Sequence, residues 1–489
     1  MYYVEVDIKK INNKILVYIL FTILAFICRY YLFEGRNSWH DEWHSIYVAD
    51  PNISNDLTLL RYYGDKGDSF LTEFYPSLYL FILKYFFIVF GYIDDNGRWL
   101  SLIFGTITVP LTMYLSEIVT NSKKYFFIGF LVSFNLFLTW QSLEIRAHSI
   151  FIAFTLINII LFYKILENKK FIIYAVYALT SVFLLSIWPI TGAVFFGKTI
   201  YLVKEFLIKK KLEITVFIIF GVILISYIFL NIDYLKFNLA RDFHYTSLYK
   251  TFFFNYHFRS FFGSPILGGI FLVIFALIII KNLKEIIFSN NKENIIIYII
   301  LSSYFLTLVY TFFRASIMSP KYVLFILPLI VIWIGIKIHT INIRIDPKKF
   351  EISLIILSII FFLFNINNSP IDRPPTKQLI NEMIKQKVQY IISGEKDYVI
   401  NYFKTKKGVV KNDLTILSDK DRIPKIVNKF WFICLNNARY SIGNKGLLIN
   451  KPIPEKKCTD YSPSDESFIE ILPIVNDTQD YLIRKFKKK

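Results

Sequence analysis

Apolar runs of membrane-spanning length recur along the chain up to about residue 365, and hydrocarbon leaves the backbone of an isolated span no way to be satisfied except as helix. They fall near residues 15–33, 77–90, 99–118, 125–140, 149–166, 171–188, 191–207, 212–230, 266–280, 295–313, 322–338 and 350–364. At 55% hydrophobic and only 19% charged, the 489 residues exceed the apolar fraction of ordinary soluble domains. The expected class is a mainly α, polytopic integral membrane protein.

The net charge of +19 does not point to nucleic acid, because the Lys and Arg residues sit in short clusters between apolar runs, as orientation signals do. Lys9, Lys10 and Lys14 precede the first run, which is too long for a signal-peptide core and lacks a small-residue cleavage site. It reads as an uncleaved anchor with a cytoplasmic N-terminus. Lys123 and Lys124, Lys164 with Lys169 and Lys170, Lys204 with Lys209 to Lys211, Lys281 with Lys284, and Lys337 with Arg344, Lys348 and Lys349 mark alternate connections as cytoplasmic. That parity puts both Asp41 and the Asp94–Asp95 loop outside, so run 77–90, at roughly 14 residues, reads as a helix lying in the interface. About eleven crossings remain, with a first external loop at about 34–97 and the C-terminus outside.

After residue 365 the composition turns polar, and Pro370, Pro374 and Pro375 mark a linker. Residues 1–365 are expected to form the membrane domain and 366–489 a small extracytoplasmic α/β domain. In the latter, Leu379, Ile380, Met383, Ile384 and Val388 have helical spacing, while 430–435 and 468–474 read as strands. Nothing in it looks catalytic. Cys434 and Cys458 could pair there or remain free thiols.

Chemistry concentrates in Ser38-Trp39-His40-Asp41-Glu42-Trp43-His44-Ser45, directly after the first span. Ionisable groups beside lipid are functional candidates. Asp41 and Glu42 are neighbours, about 100 degrees apart on a helix, so they suit distinct roles; the plain alternative is a solvated pair ending a span. Partial dehydration at a membrane surface makes a carboxylate a better proton acceptor for a hydroxyl. His40 and His44 share a helix face and imitate a zinc-protease pattern, but the residue after the first His is Asp41 and Glu42 comes one place late. A looser divalent-metal contact at His40 or His44 stays open. Farther on, Glu144, Arg146 and His148 stand at the same external face, either as an interfacial anchoring cluster or with Arg146 gripping a phosphate through its planar fork. Arg98, Arg314 and Lys321 are weaker candidates of that sort. No Gly-rich phosphate loop, C-x-x-C pair or nucleophile elbow is evident, which argues for a donor already activated in the membrane.

Taken together these segments resemble the GT-C glycosyltransferases of the protein O-mannosyltransferase and lipid A aminoarabinose transferase type. Asp41-Glu42 looks like the family's acidic motif in the first external loop. Tyr75-Pro76-Ser77-Leu78-Tyr79 is similar to its Pro-Pro-Leu-Tyr-Tyr segment, which forms an interfacial helix. Gly97-Arg98-Trp99-Leu100-Ser101, running to Gly105, looks like the Arg-Leu-x-Ser-x-x-x-Gly segment that opens the next span. Leu143-Glu144-Ile145-Arg146-Ala147-His148 resembles Gln-Glu-Ala-Arg-x-Tyr, and Pro320-Lys321-Tyr322 resembles a late Arg-Tyr before an apolar Leu-Pro run. The order and spacing agree over about residues 1–340, with departures at Tyr75, Ser77 and His148.

The resemblance implies an enzyme that moves a sugar, with inversion, from a polyprenyl (undecaprenyl or dolichyl) phosphate to a hydroxyl acceptor on a lipid, glycan or protein at the extracytoplasmic face. Asp41 would act as base and Glu42 would position acceptor or donor. Arg146, helped by Arg98 and Lys321, would hold the departing phosphate, with Glu144, His148, Tyr75 and Trp43 as further substrate contacts. No cofactor is required. The rival readings are a transporter or flippase of lipid-linked sugars and an intramembrane metallohydrolase.

Overall fold

The computed structural model describes residues 8–33, 36, 38, 40–63, 76–120, 124–209, 213–240, 256–313, 317–341 and 346–368, and in the C-terminal part 383, 385–393, 415–418, 423, 425–435, 462–463, 467–475 and 481–488. It divides into two compact units. Unit 1 comprises Met1–Glu34, Ser54–Phe86 and Asp95–Asn368; unit 2 comprises Gly35–Ile53, Phe87–Asp94 and Ser369–Lys489.

The first helices are α1 (Ile8–Tyr30), α2 (His40–Val48), α3 (Asn55–Tyr63), α4 (Leu78–Phe90), α5 (Asp94–Thr120), α6 (Tyr125–Ser133), α7 (Leu136–Gln141), α8 (His148–Glu167) and α9 (Phe171–Ile187). They are followed by α10 (Gly192–Lys209), α11 (Ile214–Leu230), α12 (Ile232–Ala240), α13 (His257–Phe261), α14 (Pro265–Phe288), α15 (Asn294–Phe313), α16 (Ile326–Lys337) and α17 (Pro347–Asn368). Every apolar run is helical. Among the described residues five helices are long and apolar enough to cross a bilayer alone, or six if α11 and α12, bent by 74° to each other, count as one span. Against the eleven or so expected crossings, runs 171–188 and 322–338 form helices of only 10–17 residues, as does run 77–90, which is expected to lie in the interface. Run 125–140 is broken where the Asn135 side chain caps α7 by accepting from the Leu138 N–H at 2.9 Å. With 13 residues α4 is about 20 Å long, well short of a bilayer's roughly 30 Å hydrocarbon core.

Contacts within unit 1 sort the helix ends into two belts. In one, Lys14 meets Glu117 at 2.5 Å, Lys124 meets Glu351, Lys169 meets Glu213, and Lys337 is held between Glu285 at 2.9 Å and Glu293 at 2.7 Å. These are the ends that charge parity groups together. The opposite ends make the other belt: Arg29 with Ser142, Asn135 with the Phe261 carbonyl, Asn231 with Ser186, Trp188 with the Tyr322 carbonyl and His257 with the Met318 carbonyl. In each pair of the first belt a lysine of one lysine-marked connection meets a carboxylate of another.

Between the belts the helices pack through small and polar residues, as spans must when lipid is as apolar as their side chains. The ammonium of fully buried Lys198 on α10 is held by the Asn158 side chain of α8 and lies 4.8 Å from the Tyr177 ring centroid of α9. Where α10 meets α15, a Cβ on Gly197 would lie 2.6 Å from the Ile299 Cα. The obstacle is backbone, so the helices would have to separate. Gly197→Ala is expected to cost about 1–3 kcal/mol as overpacking, seen as a lower thermal midpoint in detergent; an unchanged midpoint would mean that α10 and α15 are not in this contact.

In unit 2, β1 (Tyr390–Ser393), β2 (Thr415–Ser418), β3 (Lys429–Leu435), β4 (Phe468–Val475) and β5 (Tyr481–Lys488) form one sheet in the order β2-β1-β3-β5-β4. β1 pairs parallel with β2 and β3; β5 runs antiparallel between β3 and β4. Ile392, Val427, Phe430, Phe432 and Phe486 make its core. The two strands expected from sequence coincide with β3 and β4.

Candidate active site

Asp41, Glu42, Trp43 and His44 all lie on α2, in unit 2. The two carboxylates occupy the first turn, where the helix dipole favours negative charge. Glu42, Trp43 and His44 are buried and Asp41 is half-buried, with the Asp41 carbonyl accepting from the Ser45 hydroxyl at 3.1 Å. A solvated pair simply ending a span would be exposed. α2 also accepts, at the Ile46 carbonyl, a hydrogen bond of 3.1 Å from the Tyr92 hydroxyl. His40 opens the same helix, four residues before His44. Among the described residues no three His, Cys, Asp or Glu side chains gather as metal ligands. Tyr75, Trp39 and Arg314 lie outside the described residues.

The second group of site residues belongs to unit 1 and is built on the irregular segment that links α7 to α8. Residues 142–147 are neither helix nor strand, yet Glu144 is 5% exposed, Arg146 6% and His148 2%. Three helices brace the segment, one through a backbone carbonyl and two through the Ser142 side chain. Arg29, in the last turn of α1 and fully buried, donates through Nε to the Ser142 Oγ at 3.2 Å and through Nη1 to its own Ala25 carbonyl at 3.1 Å. The Ser142 hydroxyl donates to the Leu138 carbonyl of α7 at 2.5 Å. From α5, buried Arg98 donates to the Leu143 carbonyl. Gly105, two turns along α5, leaves the room Ser142 needs: a Cβ there would sit 2.1 Å from the Ser142 Oγ.

On that scaffold the Glu144 carboxylate lies 3.6 Å from His148 Nδ1, an i,i+4 pair that binds the segment to the first residue of α8. The His148 ring meets Trp188 edge-on at 5.7 Å between centroids, and Trp188 stacks on Phe151 at 4.7 Å. The Trp188 indole N–H donates to the Tyr322 carbonyl at 2.9 Å. One residue earlier, Lys321 is half-buried with its ammonium 5.5 Å from the Tyr322 ring centroid. The same stretch is tied again at Met318, whose carbonyl lies 2.6 Å from His257 Nε2. Burial pushes the His257 imidazole down to about 4, against the smaller opposite pull of that carbonyl. At neutral pH it is therefore the uncharged ring whose Nε2–H donates, since a carbonyl can only accept.

The structure thus brings Glu144, His148, Arg98 and Lys321 into one connected framework with Arg146 on the buried segment. Arg98 there grips backbone, a task the sequence reading did not give it. Arg29, Ser142, Trp188 and His257 were not singled out from sequence. Arg29 alone carried a local signal, as a cation in the last turn of an apolar span; the others act through main-chain atoms far away in the chain.

Neither a protein-family model nor a curated protein sequence matches this chain. Solved structures do match. The crystal structure of ArnT from Cupriavidus metallidurans bound to undecaprenyl phosphate has a TM-score of 0.56 at 9% identity, over 96% of this chain and 97% of that one. The crystal structure of the same organism's ArnT in the apo state gives 0.57 at 10% identity, with the same coverage. Chains that share so few residues yet superpose along nearly their whole lengths share an architecture, and this chain is a polytopic membrane protein of the GT-C fold.

Proposed function

We propose that the protein is a membrane glycosyltransferase that moves a sugar from a polyprenyl phosphate, with undecaprenyl phosphate as the leading carrier, to a hydroxyl acceptor at the extracytoplasmic face. The observation that carries this reading is the buried Glu144-Ile145-Arg146-Ala147-His148 segment, braced by three helices in a fold whose solved counterpart binds undecaprenyl phosphate. A buried arginine in such a setting suits a lipid phosphate, since it stays charged and holds two oxygens at once.

In the proposed reaction the acceptor oxygen attacks the anomeric carbon with inversion while the Asp41 carboxylate takes its proton. The bond from the anomeric carbon to the phosphate oxygen breaks, and its electron pair leaves with the polyprenyl phosphate. Arg146, supported by Lys321, stabilises the charge that grows on that phosphate. Arg98 contributes by fixing the backbone at Leu143. Glu42 orients a substrate hydroxyl; Glu144, His148, Trp43 and Tyr75 are assigned to substrate contact. The steps as proposed require no cofactor.

The test is incubation of purified protein with radiolabelled undecaprenyl-phosphate sugars and candidate acceptors. Loss of label from the lipid with its appearance in an acceptor is expected. Movement of intact lipid-linked sugar across a vesicle bilayer, without transfer, would replace the enzyme by a transporter. In the active system Arg146→Ala is expected to lower kcat/KM for the donor about tenfold or more, the scale of one lost charge-assisted hydrogen bond. Unaltered donor kinetics would remove the phosphate role.

A further inference from the structure

The last turn of α1 buries a charge that the bracing of Ser142 does not explain. Arg29 is 0% exposed, and of the five N–H bonds in a guanidinium it uses one at Nε on Ser142 and one at Nη1 on its own Ala25 carbonyl. Among the described residues Nη2 has no hydrogen-bond partner and no carboxylate acts on the group. A neutral amide could serve two neutral acceptors as well. An arginine keeps its proton when buried, and a buried charge without a counter-charge is costly. Ionisable groups at membrane depth are functional candidates for that reason.

Two more buried polar atoms lie on the helices that meet there. α1 packs on α7, where Cys28 and Leu136 share one buried cluster and Arg29 bonds to Ser142. Thr139 falls between Leu136 and Ser142 in the i, i+3, i+6 row of that helix, and its buried hydroxyl has no hydrogen-bond partner among the described residues. Ser101 repeats this on α5. It stands one turn before Gly105, the residue against Ser142, and its buried hydroxyl is orphaned in the same way. Such atoms, on elements that converge on one residue, call for a bound group that brings oxygens to them.

The surroundings select a lipid. Arg29 sits in the last turn of an apolar span, close to the depth at which membrane lipids carry their head groups, and Ile27 and Tyr30 beside it are exposed. Leu24, Phe134, Trp140 and Ile366 are half-buried around Cys28, where α7 packs on both α1 and α17. An apolar chain can lie along that seam. The planar guanidinium holds two phosphate oxygens at once, which leaves a third for a hydroxyl.

We propose that Arg29, with Thr139 and Ser101, forms a subsite for the phosphate of a membrane lipid. Two sources carry that chemistry, a polyprenyl phosphate and a bilayer phospholipid. The subsite stands apart from the transfer reading. An Arg29-dependent preference for a phosphate lipid in a protein with no transferase activity, or transfer without that preference, separates the two conclusions.

Native mass spectrometry of the full-length protein tests it, with undecaprenyl phosphate set against undecaprenol and phosphatidylglycerol against diacylglycerol. At least one phosphate lipid is expected to bind about tenfold or more tightly than its neutral partner, the worth of one charged hydrogen bond. Arg29→Gln should lower that preference by about the same factor while the neutral lipid still binds. The pair whose preference falls identifies the source, carrier or bilayer lipid. No preference in either pair, a preference that survives Arg29→Gln, or inorganic phosphate displacing the lipid as readily as a phosphate lipid does would each overturn the proposal. Should Arg29→Gln not fold, Thr139→Val takes its place. It is expected to lower the preference about fivefold, the worth of a neutral hydrogen bond, and an undiminished preference there counts equally against the subsite.

Discussion

Asp41→Asn is expected to lower kcat for sugar transfer by about 10²- to 10⁴-fold, the range contributed by a positioned general base, with the donor KM nearly unchanged. The substitution keeps the volume and hydrogen-bonding reach of the side chain and removes only its basicity. Asp41 is half-buried in the first turn of α2, and the substitution removes its favourable interaction with the helix dipole, worth about 0.3–1 kcal/mol. Thermal unfolding in detergent checks that the variant is folded. Transfer at a near-normal rate by a folded Asp41→Asn protein would remove Asp41 as base.

Gly105→Ala is expected to reduce transfer by about 100-fold, although residue 105 need touch no substrate. Its new Cβ would lie 2.1 Å from the Ser142 Oγ and 2.3 Å from the Ser142 Cβ, so Ser142 must move. Ser142 is held by Arg29 and by the Leu138 carbonyl, and Leu143 beside it by Arg98. Movement is thus passed on to Glu144 and Arg146. A misplacement of about 1 Å at reacting groups can lower a rate by that factor. Adding Ser142→Gly removes both obstructing atoms and leaves the Ser142 Cα, 3.2 Å from the new methyl, as the nearest contact. The double variant should recover part of the lost activity. Equal activity of Gly105→Ala and the native protein would show that α5 does not fix this segment.

Much of the architecture was legible in the sequence because hydrocarbon imposes a long-range rule on local composition. Apolar runs became helices, and lysines such as Lys124 and Lys337 marked the belt where Glu351, Glu285 and Glu293 meet them. The run at 77–90, expected from parity not to cross, is a helix of 13 residues. Strand β5 escaped notice because its sequence, Tyr481–Lys488, hides a half-buried strand among four basic residues; β1 and β2 are four residues each and are defined by their parallel partners. At the candidate site Asp41, Glu42, Glu144 and Arg146 could be picked out as ionisable groups beside membrane spans. The bracing could not be. Trp188 bonds to a carbonyl 134 residues away and His257 to one 61 residues away, and no local pattern encodes such a pairing. Nor does the sequence around Asn135 signal that a helical run breaks there, since only the finished cap at Leu138 reveals it.

The stretch that carries Lys321 is fastened by main-chain oxygens, at Met318 and at Tyr322. An anchor of that kind is indifferent to which residue supplies the oxygen. The two bonds themselves use no side chain of residues 318–322, so the Lys321 side chain can change without loss of either, so long as Trp188 and His257 persist. What the loop offers at position 321 is thus separable from the frame that holds it.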